Sequence, residues 1–225
     1  MFAKMKVVMP KSSKALKSPA EGRKSAYFAR NKLAILKSTQ EVLASIGSLA
    51  TIDQIAEHAE VSVSTIYKHF KTKEDLFQAA FISAIESWEK WVFETIQHEE
   101  DPLVRFVLPM RLFPRLKRTH SIYAAMAAKN SAELPLYVMK MTKNFQVNVI
   151  ELAKNKTLSV ADLDIRLRFM VTCLAEILLT QVLNPKAKES DVDKEIEILL
   201  NLLGINPAKA SKLCSLKLPD LTAQN

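Results

Sequence analysis

Glycine is almost missing from this chain, with three in 225 residues, and cysteine occurs only at 173 and 214. No glycine-rich phosphate loop is present, and no stretch alternates as a half-buried strand does, so the chain reads as helices throughout. Cys173 and Cys214 do not have the spacing of metal ligands and read as the reduced thiols of a cytosolic protein. The four histidines, His58, His69, His98 and His120, offer no carboxylate–histidine repeat three residues apart. A di-metal helical-bundle enzyme needs such a repeat. No nucleophile–base arrangement stands in its place, so neither metal, cofactor nor catalytic residue is expected. Long apolar runs are also missing. The most apolar stretch, residues 169–183, is interrupted by Glu176 and Gln181, and the patch at residues 7–9 is too short for a signal sequence. A cytoplasmic protein with no membrane partner is expected.

Acidic residues are scarce at the front. Up to Arg30 there are eight lysines and arginines against Glu21 alone, which carries most of the net charge of +8. This leading arm also holds Pro10, Ser12, Ser13, Pro19 and Gly22 without apolar periodicity, so residues 1–27 read as disordered. A basic excess of this kind suits an acidic partner such as nucleic acid. The remainder, in a chain that is 48% hydrophobic, is ample for a buried core.

Apolar spacing places a first helix over residues 28–46, with Leu36, Thr39, Leu43 and Ile46 on one face. Thr51 caps a short helix over 52–58 that buries Ile55, Ala56 and Ala59. Thr72, with Asp75 three positions on, opens a long helix carrying Leu76, Phe77, Ala80, Phe81, Ile85, Trp88 and Val92. Beyond His98 come a segment over 101–118 broken by Pro109 and Pro114, a short helix near 122–129, and a striped helix over 134–152. A further helix spans 160–184 and is apolar nearly all round after Arg168; the last is capped by Ser190 and stops at Gly204. A helix that must be covered on several sides points to a helix-packed homodimer. The expected division is an arm (1–27), a three-helix domain (28–81), a larger helical domain (82–205) and a loosely held tail (206–225).

Within residues 51–77 the small Ala56, the turn residue Glu60 and the apolar Ile66 have the spacing of a helix-turn-helix. Ile66 and Phe70, four apart, seat the second helix, and Val61 plugs the turn. Ser62, Val63, Ser64, Thr65, Lys68 and His69 are left facing outward, a surface suited to a major groove. The stretch "TIDQIAEHAEVSVSTIYKHFKTKEDLF" resembles the DNA-binding signature of TetR-family transcriptional regulators. The resemblance covers residues 28–81 and departs from the family pattern at Glu60 and Ser64, where glycine is usual. It implies an all-α fold with an N-terminal helix-turn-helix domain and a larger helical domain for ligand binding and dimerisation. It also implies that Thr51, Tyr67, His69 and Lys73 hold phosphates, leaving Val63, Ser64, Thr65 and Lys68 to read bases with Ser62 beside them.

By the same resemblance the second domain holds a small, largely apolar effector, for which Trp88, Trp91, Phe106, Met110, Met126, Phe145 and Cys173 are the candidates, although each also suits plain core packing. Arg105, Arg111, Arg115, Lys117 and Arg118 read as a solvated face, with an anionic headgroup as the other reading. The expected function is a dimeric repressor of a palindromic operator in double-stranded DNA, released by its effector. The alternatives are a DNA-organising protein without an effector and a helical-bundle enzyme.

Overall fold

A proline opens the first helix. A computed structural model of the chain describes residues 19–132, 134, 149–154, 158 and 161–222, and every regular element among them is helical. Helix α1 (Pro19–Ile46) begins nine residues before the expected start, so residues 19–27 of the expected disordered arm are helical. Residues 1–18 lie outside the described residues. Proline is tolerated in a first turn because its missing N–H would be unpaired there anyway. The segment escaped notice because residues 25–30 are exposed, and apolar periodicity reports burial, not helicity.

Gly47 follows at φ +70°, and a Cβ there would sit 2.8 Å from the Lys129 carbonyl oxygen. The chain turns away here, which leaves Ile46 exposed and off the expected buried face. Helices α2 (Ile52–His58), α3 (Val63–His69) and the first half of α4 (Lys73–Ile96) then pack with α1 around a small core. Ile35, Leu43, Ile55, Ile66, Phe70, Leu76 and Phe81 form its centre.

The larger core gathers α5 (Pro102–Leu112), a 3₁₀ turn (Phe113–Arg115), α6 (Leu116–Thr119), α7 (Ser121–Lys129), α8 (Leu163–Leu183), α9 (Glu189–Leu202) and α10 (Pro207–Cys214). Pro109 does not end α5, which continues to Leu112 because Phe106 and Met110, on either side of it, are held in the core. The expected helix over 134–152 falls mostly outside the described residues, although Leu134, Val149 and Leu152 are buried in this core. Helix α9 starts at Glu189 with Lys188 as its N-cap, not at Ser190, whose hydroxyl caps nothing. Glu189 and Asp191 favour that start by opposing the helix dipole.

Two expectations are corrected outright. The tail is not loose over its described residues, 206–222: Asn206 Oδ1 accepts from the Lys209 N–H at 2.9 Å, Pro207 opens α10, and Ala210, Leu213, Cys214 and Leu221 are buried. Most of its large apolar residues land on the core, Leu216 being exposed, while its lysines drew the sequence reading outward. Burial pushes the Cys214 thiol up to about 11, which leaves it protonated and unreactive.

Nor do Arg111 and Arg115 form a solvated face or meet a headgroup, for they are only 3% and 4% exposed. Arg111 Nε donates to Asp193 Oδ1 at 2.7 Å and its Nη1 to the Leu216 carbonyl at 2.8 Å. Arg115 donates from Nη2 to Asp193 Oδ2 at 2.8 Å and from Nε to Glu189 Oε1 at 3.1 Å. The pair ties the α5 region to α9 and to the C-terminal segment. Only Arg118, half exposed, meets Glu189 near solvent.

Removing one buried member of such a network strands the charge and carbonyls it served. Arg111→Ala is therefore expected to lower unfolding stability by about 3 kcal/mol, against less than about 1 kcal/mol for the exposed Arg118→Ala. Urea denaturation of both variants checks the contrast, and equal small losses would contradict it.

Candidate nucleic-acid interface

The turn between α2 and α3 is built from three local devices. Thr51 Oγ1 accepts from the Gln54 N–H at 3.2 Å while Gln54 Oε1 accepts from the Thr51 N–H at 2.9 Å, so two otherwise unpaired amides at the start of α2 are satisfied. Ala56 is buried where α2 meets the turn, and its carbonyl accepts from the Val61 N–H at 2.9 Å. Glu60 takes the left-handed conformation at φ +53°. The backbone geometry here is the one a glycine would supply, held instead by a residue with a Cβ.

Ser62 caps α3. Its Oγ accepts from the Thr65 N–H at 3.2 Å and lies 2.9 Å from Ser64 Oγ and 2.8 Å from Thr65 Oγ1. Three hydroxyls are thereby linked, with two contacts among them, so Ser64 is held in place instead of sweeping the surface freely. Below them Ile66 is fully buried and Phe70 nearly so. That seat leaves Ser62, Ser64, Tyr67 and Lys68 exposed on the outer face.

The other expected outward residues are only half-exposed. Val63 packs against the small core, which removes much of the apolar contact expected of it, and Thr65 is drawn in by the cap. His69 lies under the ring of Phe28, with centroids 3.9 Å apart, and its Nδ1 is buried without a hydrogen-bond partner. Burial first, then the nearby Lys32 charge, push its pKa below the ordinary histidine value. His69 is therefore neutral near pH 7 and is no cation for a phosphate. Thr51 is exposed with its hydroxyl 3.2 Å from Gln54 Oε1, while Lys73 Nζ reaches back to the Ser48 carbonyl at 3.4 Å and sits 5.0 Å over the Phe77 ring.

Lys32 is the residue that sequence reasoning missed. It is exposed on α1, with Nζ 5.7 Å over the Phe70 ring, beside the C-terminal end of α3. The available signal was its spacing of four from Phe28, which puts both on one face of α1.

Of the expected effector residues that the structure describes, only Trp88 and Met126 line a shared cavity. It lies between the two cores, has a volume of about 40 Å³, and is walled also by Phe81, Ile85, Phe113 and Tyr123. Phe106 and Met110 are buried elsewhere in the large core, Cys173 is half-buried against it, and Trp91 stands edge-on to His120 at 5.2 Å. Phe145 lies outside the described residues. A larger hollow of about 420 Å³ between α1 and α2, bounded by Glu41, Gln54 and His58, is a groove open to solvent.

A short helix locked by a capped turn onto a three-helix core, with hydroxyls and a lysine outward, is the architecture of a helix-turn-helix DNA-binding protein. Residues 35–80 match the family model of bacterial regulatory proteins of the tetR family, so this segment is similar to the DNA-binding domain of TetR-family regulators. Among solved structures, RolR in complex with resorcinol superposes with a TM-score of 0.71, at 18% identity, over 88% of this chain and 100% of that one. FadR from Bacillus subtilis with stearoyl-CoA gives 0.62 at 20% identity, covering 77% and 99%. A TetR family transcription regulator from Marinobacter aquaeolei VT8 gives 0.58 at 14%, covering 80% and 98%. At such identities the likeness establishes the fold alone. No curated protein matches the chain.

Because a left-handed residue with a Cβ costs about 1–2 kcal/mol, and glycine gives back about 0.5–1 kcal/mol through its freer unfolded chain, Glu60→Gly is expected to stabilise by about 0.5–1 kcal/mol. Thermal or urea unfolding reads this directly. A loss of stability would mean that Glu60 makes a compensating interaction.

Proposed function

We propose that the protein is a homodimeric repressor that reads a palindromic operator with α3 and lets go when a small molecule enters the cavity beside Trp88. The observation that carries the reading is the exposed row Ser62, Ser64, Tyr67 and Lys68 on a helix whose opposite side is fixed by Ile66 and Phe70. Lys68, a flexible cation, donates to guanine acceptors, and the linked hydroxyls of Ser64 and Thr65 contact bases from a set position. Thr51, Tyr67 and Lys73 contact phosphates, joined by Lys32, with His69 contributing only as a neutral group.

Dimerisation is supported by α8, where Ile165, Phe169 and Leu183 are exposed along one face together with Thr172 and Glu176. Phe169 and Leu183 are 55% and 59% exposed, a poor arrangement unless a second copy covers them. Glu176, in the middle of this face, accepts from the Thr180 hydroxyl at 2.8 Å. A two-fold dimer presents its two α3 helices to half-sites spaced by whole turns of the duplex. RolR and FadR, each crystallised with a small molecule, support an effector for this chain as well. Among the described residues no helix is long and apolar enough to cross a membrane, and the DNA partner implies a cytoplasmic location.

Phosphate and base contacts are separable by salt and sequence. Lys32→Ala is expected to weaken binding to all duplexes alike and to make the slope of log affinity against log salt shallower by about 1. Lys68→Ala is expected to cost about 1–3 kcal/mol on the preferred operator and little on unrelated DNA. Electrophoretic or anisotropy titrations at several salt concentrations check both. A uniform loss from Lys68→Ala would contradict base reading by α3.

A further inference from the structure

The hydroxyls that open α3 are few enough to count hydrogen by hydrogen. Serine and threonine hydroxyls each carry one hydrogen and two lone pairs. Ser62 Oγ gives one lone pair to the Thr65 N–H at 3.2 Å, and Thr65 Oγ1 at 2.8 Å and Ser64 Oγ at 2.9 Å are both within hydrogen-bond reach of it. One lone pair and one hydrogen remain to serve these two neighbours. Both cannot donate to Ser62, since that would ask three bonds of two lone pairs, and a single hydrogen cannot go to both. Ser62 therefore donates to one and accepts from the other, in either direction.

The Ser62 hydroxyl is thereby saturated. Of the three O–H groups two are used within the trio and one is left for DNA, on Ser64 or on Thr65, while the other of these two offers lone pairs alone. Their oxygens sit side by side, each within 2.9 Å of the same atom. Ser64 is exposed and Thr65 half-exposed in the first turn of α3, the end from which a recognition helix meets base edges. The pair thus presents one donor beside one acceptor, and never two donors. Guanine, whose major-groove edge carries the two acceptors N7 and O6, can take only one hydrogen bond from it. An A·T pair carries a single donor, adenine N6–H, between the acceptors adenine N7 and thymine O4, so it matches on either side of that donor and in both directions of the trio. A G·C pair matches only across guanine O6 and cytosine N4, and in one direction.

We propose that the hydroxyl trio makes the first turn of α3 specific for an A·T base pair, with one outward oxygen accepting adenine N6–H and the neighbouring O–H donating to the acceptor beside it. This deepens the reading of α3 as the base-reading helix and rests on it. Ser62 acts as a positioning residue, and Ser64 and Thr65 make the contacts. Lys68 lies one turn further on, about 6 Å along the helix axis, so its contact with guanine acceptors belongs to a separate base pair.

The test uses the full chain and the duplex that it selects from a random pool. Ser64→Ala removes one of the two reading hydroxyls and leaves the Ser62 cap on the Thr65 N–H in place. Anisotropy titrations of single-pair changes in the selected duplex are expected to reveal one A·T position in each half-site whose change to G·C costs the native protein about 10-fold or more in affinity, and Ser64→Ala about 2-fold or less. Replacing the adenine there by purine, which lacks only the 6-amino group, is expected to cost the native protein about 5-fold and Ser64→Ala almost nothing. Should Ser64→Ala fold poorly, the purine substitution with the native protein still reads the contact, and Thr65→Val gives the second variant. A G·C pair demanded at the position that Ser64→Ala relaxes, an unchanged base preference in Ser64→Ala, or indifference to the missing amino group would each overturn the inference. A pool that yields no preferred sequence overturns base reading by α3 and this inference with it, whereas a selected duplex without such an A·T position counts against the trio alone.

Discussion

A helix of seven residues has no stability of its own in water, since it scarcely exceeds its own nucleation cost. Helix α3 exists because Ile66 and Phe70 are anchored in the core made by α1, α2 and α4. That anchorage also decides which way the helix faces. Turn it by two residues, and Ser64 and Lys68 would be pressed into the core while an isoleucine met solvent. The left-handed Glu60, the Ser62 cap and the Phe28–His69 contact all serve to hold this one short element in a single orientation.

The same small core is joined to the larger one by two helices. Along α4 the buried residues pass from Phe81 and Ala84 in the small core to Trp88 and Val92 in the large one. Along α7, Met126 belongs to the small core, Ala124 and Ala127 to the large one, and the Lys129 carbonyl abuts Gly47 at the end of α1. The cavity beside Trp88 therefore lies where both helices change core. Filling it cannot leave α1 and α4 undisturbed, because close-packed interiors transmit displacement instead of absorbing it. The apolar pattern of α4 already carries it past residue 81 into the larger domain, whereas the short alanine-rich pattern of α7 carries no sign of which core it joins.

The sequence was legible where local chemistry sufficed. The caps at Thr51 and Thr72, the turn at residue 60 and the anchors Ile66 and Phe70 were legible from residue type and spacing within a few positions. It was illegible where partners lie far apart in the chain. Arg111 meets Asp193 across 82 positions, and nothing near Arg111 announces burial. His69 read as an outward phosphate holder because Phe28, which covers it, is far from it in the chain. Lys32 was missed for the same reason, since the Phe70 ring it sits over is comparably distant in sequence. Among the effector candidates, residue type could not separate the lining pair, Trp88 and Met126, from Phe106 and Met110, which simply fill the core.

The central claim is that one fixed outer face of α3, presented twice by a symmetric dimer, reads DNA sequence. Selection of bound fragments from a pool of random duplexes by the purified full chain tests it most directly. The account predicts enrichment of a palindrome whose half-sites are centred a whole number of helical turns apart. A pool that stays random after repeated rounds, at a salt concentration where the protein still binds, would contradict it.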